Sequence, residues 1–306
     1  MRIGVFLALL MMIAHEAVSQ QLPIIDMHMH ADAPYVPNGE AAPCFPIGFC
    51  TPLPGGAKTG NELLQSTLEA MRRHDIVLAF VSDSRKNVDS WFAADPDRFM
   101  PSVIISNPAD ADITALRKAY EAKELRGMGE LATIYEGFAP NDPRLEPFFA
   151  LAEEFNQPLL IHVAGTAGRS DKFRIATGHP ELLQEVLEKH PRLRIWVENA
   201  AFPFFDEMVA LMYRYPNVYA DLSTINWIVP RSMFHRYLRG LIDAGLGKRL
   251  MFGSDQMQWP QTIDAAIDAI ESAEFLTAEQ KRDIFYNNAA RFLRLNDGEI
   301  ARHHGR

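Results

Sequence analysis

The stretch Pro23-Ile24-Ile25-Asp26-Met27-His28-Met29-His30 is a short apolar run that ends in two histidines. Its length and hydrophobic residues are typical of a buried β-strand. Alternate residues of a strand point to the same face, so His28 and His30 can direct two imidazoles at one ion. The run therefore predicts a metal site at the carboxyl end of a first strand. Taken alone, the pair fits solvated or hydrogen-bonded core histidines equally well.

Seven further apolar runs follow and alternate with amphipathic, helix-like stretches. Nearly continuous apolar character indicates strands that are buried on both faces, as in parallel sheets. Eight strands joined by crossover helices are what a closed parallel barrel requires. We therefore predict an α/β fold, a (β/α)8 TIM barrel with a long first βα loop. The predicted strands are Leu22–His28, Ile76–Val81, Phe99–Ile105, Leu125–Leu131, Pro158–Val163, Leu193–Val197, Val218–Leu222 and Arg249–Gly253.

The long loop, Ala31–Gly60, is rich in proline and is predicted to form part of a substrate pocket. It contains Cys44 and Cys50, the two cysteines of the chain. In an oxidising compartment such a close pair can form a local disulfide, and two free thiols or one buried thiol are the alternatives.

The first residues resemble a secretory signal peptide. Arg2 precedes the apolar stretch Ile3–Ala14, and Ala17-Val18-Ser19 provides the small residues of a cleavage site. We predict cleavage after Ser19, export to the periplasm or medium, and no membrane attachment of the mature chain. An uncleaved anchor or a wrongly chosen start codon is the alternative.

Domain boundaries and charge complete the outline. We predict a signal peptide over residues 1–19, a barrel domain over 20–296 and a flexible tail over 297–306. Thr277-Ala278-Glu279-Gln280 matches a capping box, so a last helix is expected to begin near Thr277.

Lys and Arg total 30 against 39 Asp and Glu, a net charge of −9, with a basic cluster only at the C-terminus. Nucleic acid is therefore excluded as a partner, and a small molecule is expected as the substrate.

Polar residues that end barrel strands are candidates for the active site, because such sites lie at the carboxyl ends of the strands. Strands four, five and eight end in Glu130, His162 and Asp255. Singly, these could be a surface ion-pair partner, a core histidine and a helix N-cap. Together with His28 and His30 they provide three imidazoles and carboxylates at one end of one barrel. That donor set predicts a divalent metal cofactor, with zinc the best match.

Four motifs between Pro23 and Leu295 resemble those of the amidohydrolase superfamily. More narrowly, the chain resembles the amidohydrolase-related branch that includes aminocarboxymuconate semialdehyde decarboxylase. The motifs are Asp26-Met27-His28-Met29-His30, Gly127-Met128-Gly129-Glu130, His162 and Phe252-Gly253-Ser254-Asp255, and the resemblance closes with Asn287-Asn288-Ala289-Ala290-Arg291-Phe292-Leu293.

The resemblance implies a barrel with a mono- or dinuclear metal centre. By position, His28, His30 and His162 match the imidazole ligands of the family. Asp255 matches the aspartate of strand eight, and Glu130 falls where some members place a ligating or bridging carboxylate and others a modified lysine. Strand six departs from the pattern, because Asn199 stands where the family has a histidine.

This departure bears on the reaction, because asparagine does not titrate. Glu198, one position earlier, is expected to point to the opposite side of the strand unless a bulge re-aims it. Asn199 is assigned to substrate binding, with a hydrogen bond to the developing oxyanion. The aromatic residues that follow strands six and seven suggest a partly apolar pocket, although packing is the alternative: Phe202, Phe204, Phe205 and Trp227.

The leading functional hypothesis is a metal-dependent hydrolase of small amides, esters or lactones, in which Asp255 takes the proton of a metal-activated water. A non-oxidative decarboxylase is the second hypothesis, ranked lower because the strand-six histidine that would donate a proton is absent. The third is a barrel that keeps its metal and binds a ligand without catalysis.

Overall fold

Eight strands and twelve α-helices form the part of the chain that this computed structural model describes, residues 22–36, 39, 56–165 and 170–305. The strands are β1 Ile24–His30, β2 Ile76–Ser82, β3 Phe99–Pro101, β4 Met128–Leu131, β5 Pro158–Ile161, β6 Arg194–Val197, β7 Val218–Asp221 and β8 Leu250–Met251. The helices are α1 Gly60–Arg73, α2 Arg85–Ala94, α3 Ile113–Glu121, α4 Glu146–Glu154, α5 Leu183–Lys189, α6 Phe205–Arg214, α7 Ile225–Ile228, α8 Arg231–Asp243, α9 Thr262–Glu271, α10 Ala278–Arg282, α11 Asn288–Leu293 and α12 Asp297–His304.

The strands close into a parallel barrel. Strands β1 to β3 pair in order, and so do β4 to β8. Between β3 and β4, the Ile105 amide donates to the Glu130 carbonyl at 2.8 Å. Between β8 and β1, the amides of Met27 and Asp255 donate to the carbonyls of Phe252 and His28 at 2.9 and 2.8 Å. The predicted (β/α)8 fold is confirmed, and all eight predicted strands are present.

Two hydrophobic clusters divide the core. The larger one packs strand residues such as Ile161 and Val197 against the helices. The smaller one includes Leu160 and Trp196, which alternate with those residues along β5 and β6, and it fills the inside of the barrel. The Trp196 ring meets that of Phe80 edge-on at a centroid distance of 4.7 Å. The alternation fixes which positions of each strand face inward.

The C-terminal helices pack under the barrel. The predicted capping box at Thr277 is confirmed as the start of α10. A π-helical turn, Asp283–Asn287, leads into α11, whose Phe292 belongs to the inner cluster. The expectation of a flexible tail over 297–306 is wrong for Asp297–His304, which form α12. A second capping box at Asn296 begins this helix, and buried His303 meets the hydroxyl of Tyr286 at 3.0 Å.

Several sequence-based expectations fall on residues outside the described ranges. The signal segment 1–19, Cys44, Cys50 and most of the loop between β1 and α1 are among them. Export and the disulfide therefore remain predictions. None of the helices in the described ranges has the length and apolar character needed to cross a membrane.

Candidate metal centre

Three imidazoles and three carboxylates meet at the carboxyl ends of the barrel strands. The Nε2 atoms of His28 and His30 lie 3.0 Å apart. The His30 Nε2 atom is 3.1 Å from Oδ1 of Asp255 and 3.4 Å from Oε2 of Glu130. On the other side of Glu130, Oε1 lies 3.1 Å from Nδ1 of His162. All five residues predicted as metal ligands are therefore buried in one cluster.

A β-bulge in β1 directs both histidines inward. Asp26 pairs with Ala79 and Met29 pairs with Val81, so Met27 and His28 together oppose the single residue Phe80. One extra residue exchanges the two faces of a strand. Met27 accordingly belongs to the inner cluster and Met29 to the outer one. His28 and His30 then face the barrel axis.

A second bulge in β4 aims Glu130. Met128 pairs with Leu159 and Leu131 with Ile161, so Gly129 and Glu130 share the space opposite one residue of β5. Gly129 has φ +99°, and a Cβ there would lie 2.3 Å from the carbonyl oxygen of Leu160. Only glycine allows this approach without a shift of the backbone.

Strand β6 contributes Glu198, a site residue that the sequence analysis placed on the wrong side. Its Oε2 atom lies 2.8 Å from Nδ1 of His162. Trp196 points into the barrel, and Glu198, two residues later, faces the same way. The expectation that Glu198 points away is therefore wrong, and no bulge in β6 was needed. The inward orientation of Trp196 was the available signal.

Asn199 follows in a left-handed turn. Asn199, Ala200 and Ala201 have φ of 54°, 47° and 55°, values that non-glycine residues seldom adopt. The Asn199 side chain donates to Oε1 of Glu198 at 2.9 Å, and its Oδ1 atom lies 3.1 Å from Oγ of Ser223. These contacts hold Glu198 in place. A direct contact of Asn199 with substrate remains a prediction.

Asp255 is set by the loop after β8. Its backbone has φ +46° and its amide donates to the His28 carbonyl, which ties β8 to β1 beside the site. The Thr224 hydroxyl donates to Oδ2 of Asp255. Oδ1 lies 3.1 Å from Nε2 of His30 and accepts no well-aligned hydrogen bond from the described residues. One oxygen is thus anchored and the other faces the cluster.

A further set of contacts orients His28. Its Nδ1 atom lies 2.9 Å from Oγ of Ser223, whose hydroxyl donates to Oδ1 of Asp221 at 2.6 Å. The Asp221 Oδ2 atom is 3.4 Å from the same ring nitrogen. These acceptors favour a proton on Nδ1, which leaves the Nε2 lone pair for an ion. Metal-binding histidines generally have such a partner.

Burial and neighbouring charges shift the pKa values of the side chains in the cluster. Burial alone would lower the pKa of His30, but the hydrogen bond and charge of Asp255 raise that pKa to about 9. Burial likewise opposes the charge on Asp255, yet His28 and His30 bring the pKa of this carboxyl to about 2. Burial raises the pKa of Glu198 to about 7, and the charge of Glu130 adds to the shift.

The arrangement fits a divalent ion by two tests. Ligand atoms that each lie about 2.1 Å from one ion are about 3.0–3.4 Å apart at tetrahedral or octahedral angles, and the distances around His30 Nε2 match this spacing. Oδ1 of Asp255 and Oε2 of Glu198 are also buried, and each lies beside an imidazole nitrogen without accepting a well-aligned hydrogen bond from the described chain. Such oxygens are costly unless a cation satisfies them. Candidate ligand sets with atoms within 4.8 Å of one another are His28, His30 and Glu130; His28, Glu198 and Asp255; and Glu130, His162 and Glu198.

Two aromatic residues, Tyr135 and Trp227, lie beside the cluster. Tyr135, which the sequence analysis did not single out, meets the His162 ring edge-on at 5.0 Å. Trp227 donates to the carbonyl of Ser254 at 2.7 Å, beside Asp255. Phe202 and Phe205 instead pack on Tyr237, and Phe204 packs on His179. Of the four aromatics predicted for the pocket, Trp227 is the one with a contact next to a proposed ligand.

Comparison with known proteins identifies the family. A sequence profile of the amidohydrolase family matches residues 25–295. The chain belongs to this family. Among curated proteins, it is 25% identical over 158 residues to protein fluG of Emericella nidulans, a match covering 46% of this chain and 18% of fluG. This amidohydrolase therefore spans less than a fifth of the length of that relative.

Solved structures share the fold of this amidohydrolase. The TIM-barrel protein Bb4693 of Bordetella bronchiseptica superposes with a TM-score of 0.66 at 20% identity, over 93% of this chain and 100% of that one. A probable 2-pyrone-4,6-dicarboxylic acid hydrolase from Acinetobacter baumannii gives 0.59 at 13%, over 90% and 100%. The 5-carboxyvanillate decarboxylase LigW of Sphingomonas paucimobilis gives 0.52 at 18%, over 75% and 82%. The family and the ligand cluster together indicate a metal-dependent, amidohydrolase-like enzyme.

Proposed function

We propose that this enzyme hydrolyses a small amide, ester or lactone with a divalent metal, best matched by zinc. The observation that carries the proposal is the buried Oδ1 of Asp255, which lies 3.1 Å from Nε2 of His30 and accepts no well-aligned hydrogen bond from the described chain. His28, His30, Glu130, His162, Glu198 and Asp255 would hold the metal. The bound ion would polarise the scissile carbonyl and make a water acidic enough to act at neutral pH.

The residues of the chain then have separate tasks. Asp255 accepts the proton of the attacking water through Oδ1 and passes it to the leaving group, while Thr224 holds Oδ2. Ser223 and Asp221 fix the ring of His28. Asn199 is anchored against Glu198, and its amide is the proposed donor to the oxyanion. Tyr135 and Trp227 form the walls beside the cluster.

Decarboxylation is the second candidate. The observation that favours it is Glu198, a buried carboxyl whose pKa burial raises to about 7 in the metal-free protein, so that it can hold a proton at neutral pH when the other five residues hold the metal. Such a group could protonate the carbanion that forms on loss of CO₂. The likeness of the fold to a hydrolase and to a decarboxylase does not separate the two reactions.

One screen separates the candidates. Metal-loaded protein is given esters, lactones, amides and aromatic carboxylates, and proton release, amine release and CO₂ release are recorded side by side. Hydrolysis predicts proton release from at least one ester or lactone, or amine release from at least one amide, and Asp255→Asn abolishes most of it. CO₂ release from an aromatic acid would overturn the hydrolytic proposal. Metal binding with neither product would favour a barrel that only binds a ligand.

We also propose that the chain is exported, that a signal peptide ends at Ser19, and that the substrate is a small molecule. The composition of the first residues supports the first point. N-terminal sequencing of protein from a native-like host should give a chain that begins near Gln20. A product that retains Met1 in the cytoplasm would contradict export.

A further inference from the structure

A cavity of about 570 Å³ opens at the amino-terminal ends of the strands, opposite the metal centre. We call it the base cavity. Its wall includes residues at the starts of β5 and β6 and residues of the C-terminal helices, among them Pro158 and Leu295. Its volume lies within the range of about 300–1,000 Å³ that is typical of small-molecule sites.

The lining of the base cavity is cationic, although the chain as a whole has a net charge of −9. Four arginines contribute, Arg126, Arg194, Arg294 and Arg302, against two acidic residues, Asp97 and Glu299. The Glu299 carboxylate is turned to the N-cap of α12, where it accepts from the Asn296 amide at 2.8 Å. Arg294 donates to the uncharged Oδ1 atom of Asn156 at 3.1 Å.

Arg194 is the buried member of the set, with a relative exposure of 9%. Its guanidinium donates to the carbonyls of Phe292 and Asn156, the latter at 2.6 Å, while Nε has no partner in the described chain. Burial lowers its pKa to about 10, and the positive charge of Arg294 contributes to the shift. The guanidinium groups of Arg194 and Arg294 thus line one cavity and are near enough for their charges to repel.

Guanidinium groups form strong, paired hydrogen bonds with carboxylate and phosphate oxygens. We propose that the base cavity binds a small organic anion with two or more carboxylate or phosphate groups. Such an anion supplies negative charge to a lining that has four arginines and two acidic residues. The four cations come from the segment before β4, from β6, from the end of α11 and from α12, so one bound molecule joins α12 to the barrel.

Calorimetric titration of the full, metal-loaded chain at constant ionic strength tests this site. The two probes are fructose 1,6-bisphosphate and propane-1,2,3-tricarboxylate, which distinguish a phosphorylated ligand from a carboxylate. At least one should bind with one site per chain and raise the melting temperature, because ligands of the folded state stabilise it. Binding of only one probe shows whether the site prefers phosphate or carboxylate groups.

Matched variants locate the site. Replacing Arg126 and Arg302, both on the exposed rim, by Gln should weaken binding by roughly 10-fold or more, since each forms charge-assisted bonds. Replacing exposed Arg72 and Arg236 by Gln removes the same charge elsewhere and should leave the affinity unchanged. His162→Ala should also leave it unchanged. The proposal is overturned if neither probe binds, if the rim variant binds like the parent, or if His162→Ala abolishes binding.

Discussion

The carboxylate of Glu198 contacts the imidazole of His162, with 2.8 Å between Oε2 and Nδ1. Both side chains are buried, and Asn199 donates to the other oxygen of Glu198. Strand β6 therefore contributes a carboxylate to the cluster although it lacks the histidine that the family resemblance led us to expect. If Glu198 is a metal ligand, removing its charge should weaken metal binding more than it lowers the stability of the fold.

Glu198→Gln tests that role. The variant keeps the shape of the side chain but removes its charge, so the affinity for zinc should fall by more than the roughly 10–100-fold typical of residues that only support a ligand. The metal-free form should be at least as stable as the parent, because burial raises the pKa of Glu198 to about 7 despite its contact with His162, so the fold disfavours the charge that is removed. Competition with a zinc-binding dye and urea unfolding give the two values. Equal zinc affinity in Glu198→Gln and in the exposed control Glu185→Gln would contradict the assignment.

Asp255→Asn should lower the turnover of a hydrolysable substrate by roughly 10²–10⁴-fold, the usual effect of losing a general base. Asparagine keeps the hydrogen bond from Thr224 but cannot accept the proton. The measurement is kcat at saturating metal, so that weaker metal binding by the variant does not lower the measured rate. Near-parental kcat would refute the hydrolytic role of Asp255, and exposed Asp243→Asn provides the matched control.

Gly129→Ala should strongly destabilise the fold. The new Cβ would meet the Leu160 carbonyl oxygen at 2.3 Å and the Leu131 nitrogen at 2.7 Å, in a backbone with φ +99°. We expect a loss of about 3 kcal/mol or more in the free energy of unfolding. Gly245→Ala is the control, because Gly245 also has a positive φ but has open space around it, and should cost about 1–2 kcal/mol. Similar losses in urea unfolding of the two variants would contradict the proposed close approach at Gly129.

An ion pair between α1 and α9 should give pH-dependent stability. Arg73 donates to both oxygens of Asp264 at 2.8 Å. Burial alone would raise the pKa of Asp264, but the hydrogen bonds from Arg73 and His74 hold it below its usual value. A carboxyl whose pKa is lowered in the folded state stabilises the protein at pH values above its unfolded-state pKa of about 3.9. This stabilisation is lost as the pH falls through the folded-state pKa.

Asp264→Asn should therefore reduce the free energy of unfolding by about 0.2–1 kcal/mol near pH 7, the range for exposed pairs, and the difference should shrink as the pH falls below about 4. Urea unfolding across this pH range measures it. A difference that grows on acidification would contradict the assignment of the pair. Exposed Asp243→Asn again controls for the change of charge.

Sequence reasoning found the strands and five members of the cluster because a parallel barrel brings the carboxyl ends of its strands together wherever they lie in the chain. It could not see the bulges. Simple alternation from Met27 would place Met29 inward, and only the pairing of β1 with β2 shows that His28 and His30 face the axis. For Glu198 the signal was present, since Trp196 has the size and apolar character of a barrel-filling side chain.

Helix α12 could be predicted from the sequence, whereas the base cavity could not. Asn296-Asp297-Gly298-Glu299 is a readable capping box, so α12 could have been predicted from the sequence. The base cavity could not, because Arg126, Arg194 and Arg294 lie on segments that only the closed barrel brings together. Counting basic clusters along the chain detected only the C-terminal one.

The metal content of the purified protein tests the account most directly. Elemental analysis of the full chain is predicted to find at least one divalent ion per chain, with zinc the best match. His28→Ala and His162→Ala should lose most of it while their circular dichroism stays that of a folded barrel, and His235→Ala, whose ring meets the carbonyl of Ala269, should keep it. Parental metal content in both His28→Ala and His162→Ala would contradict the proposed centre.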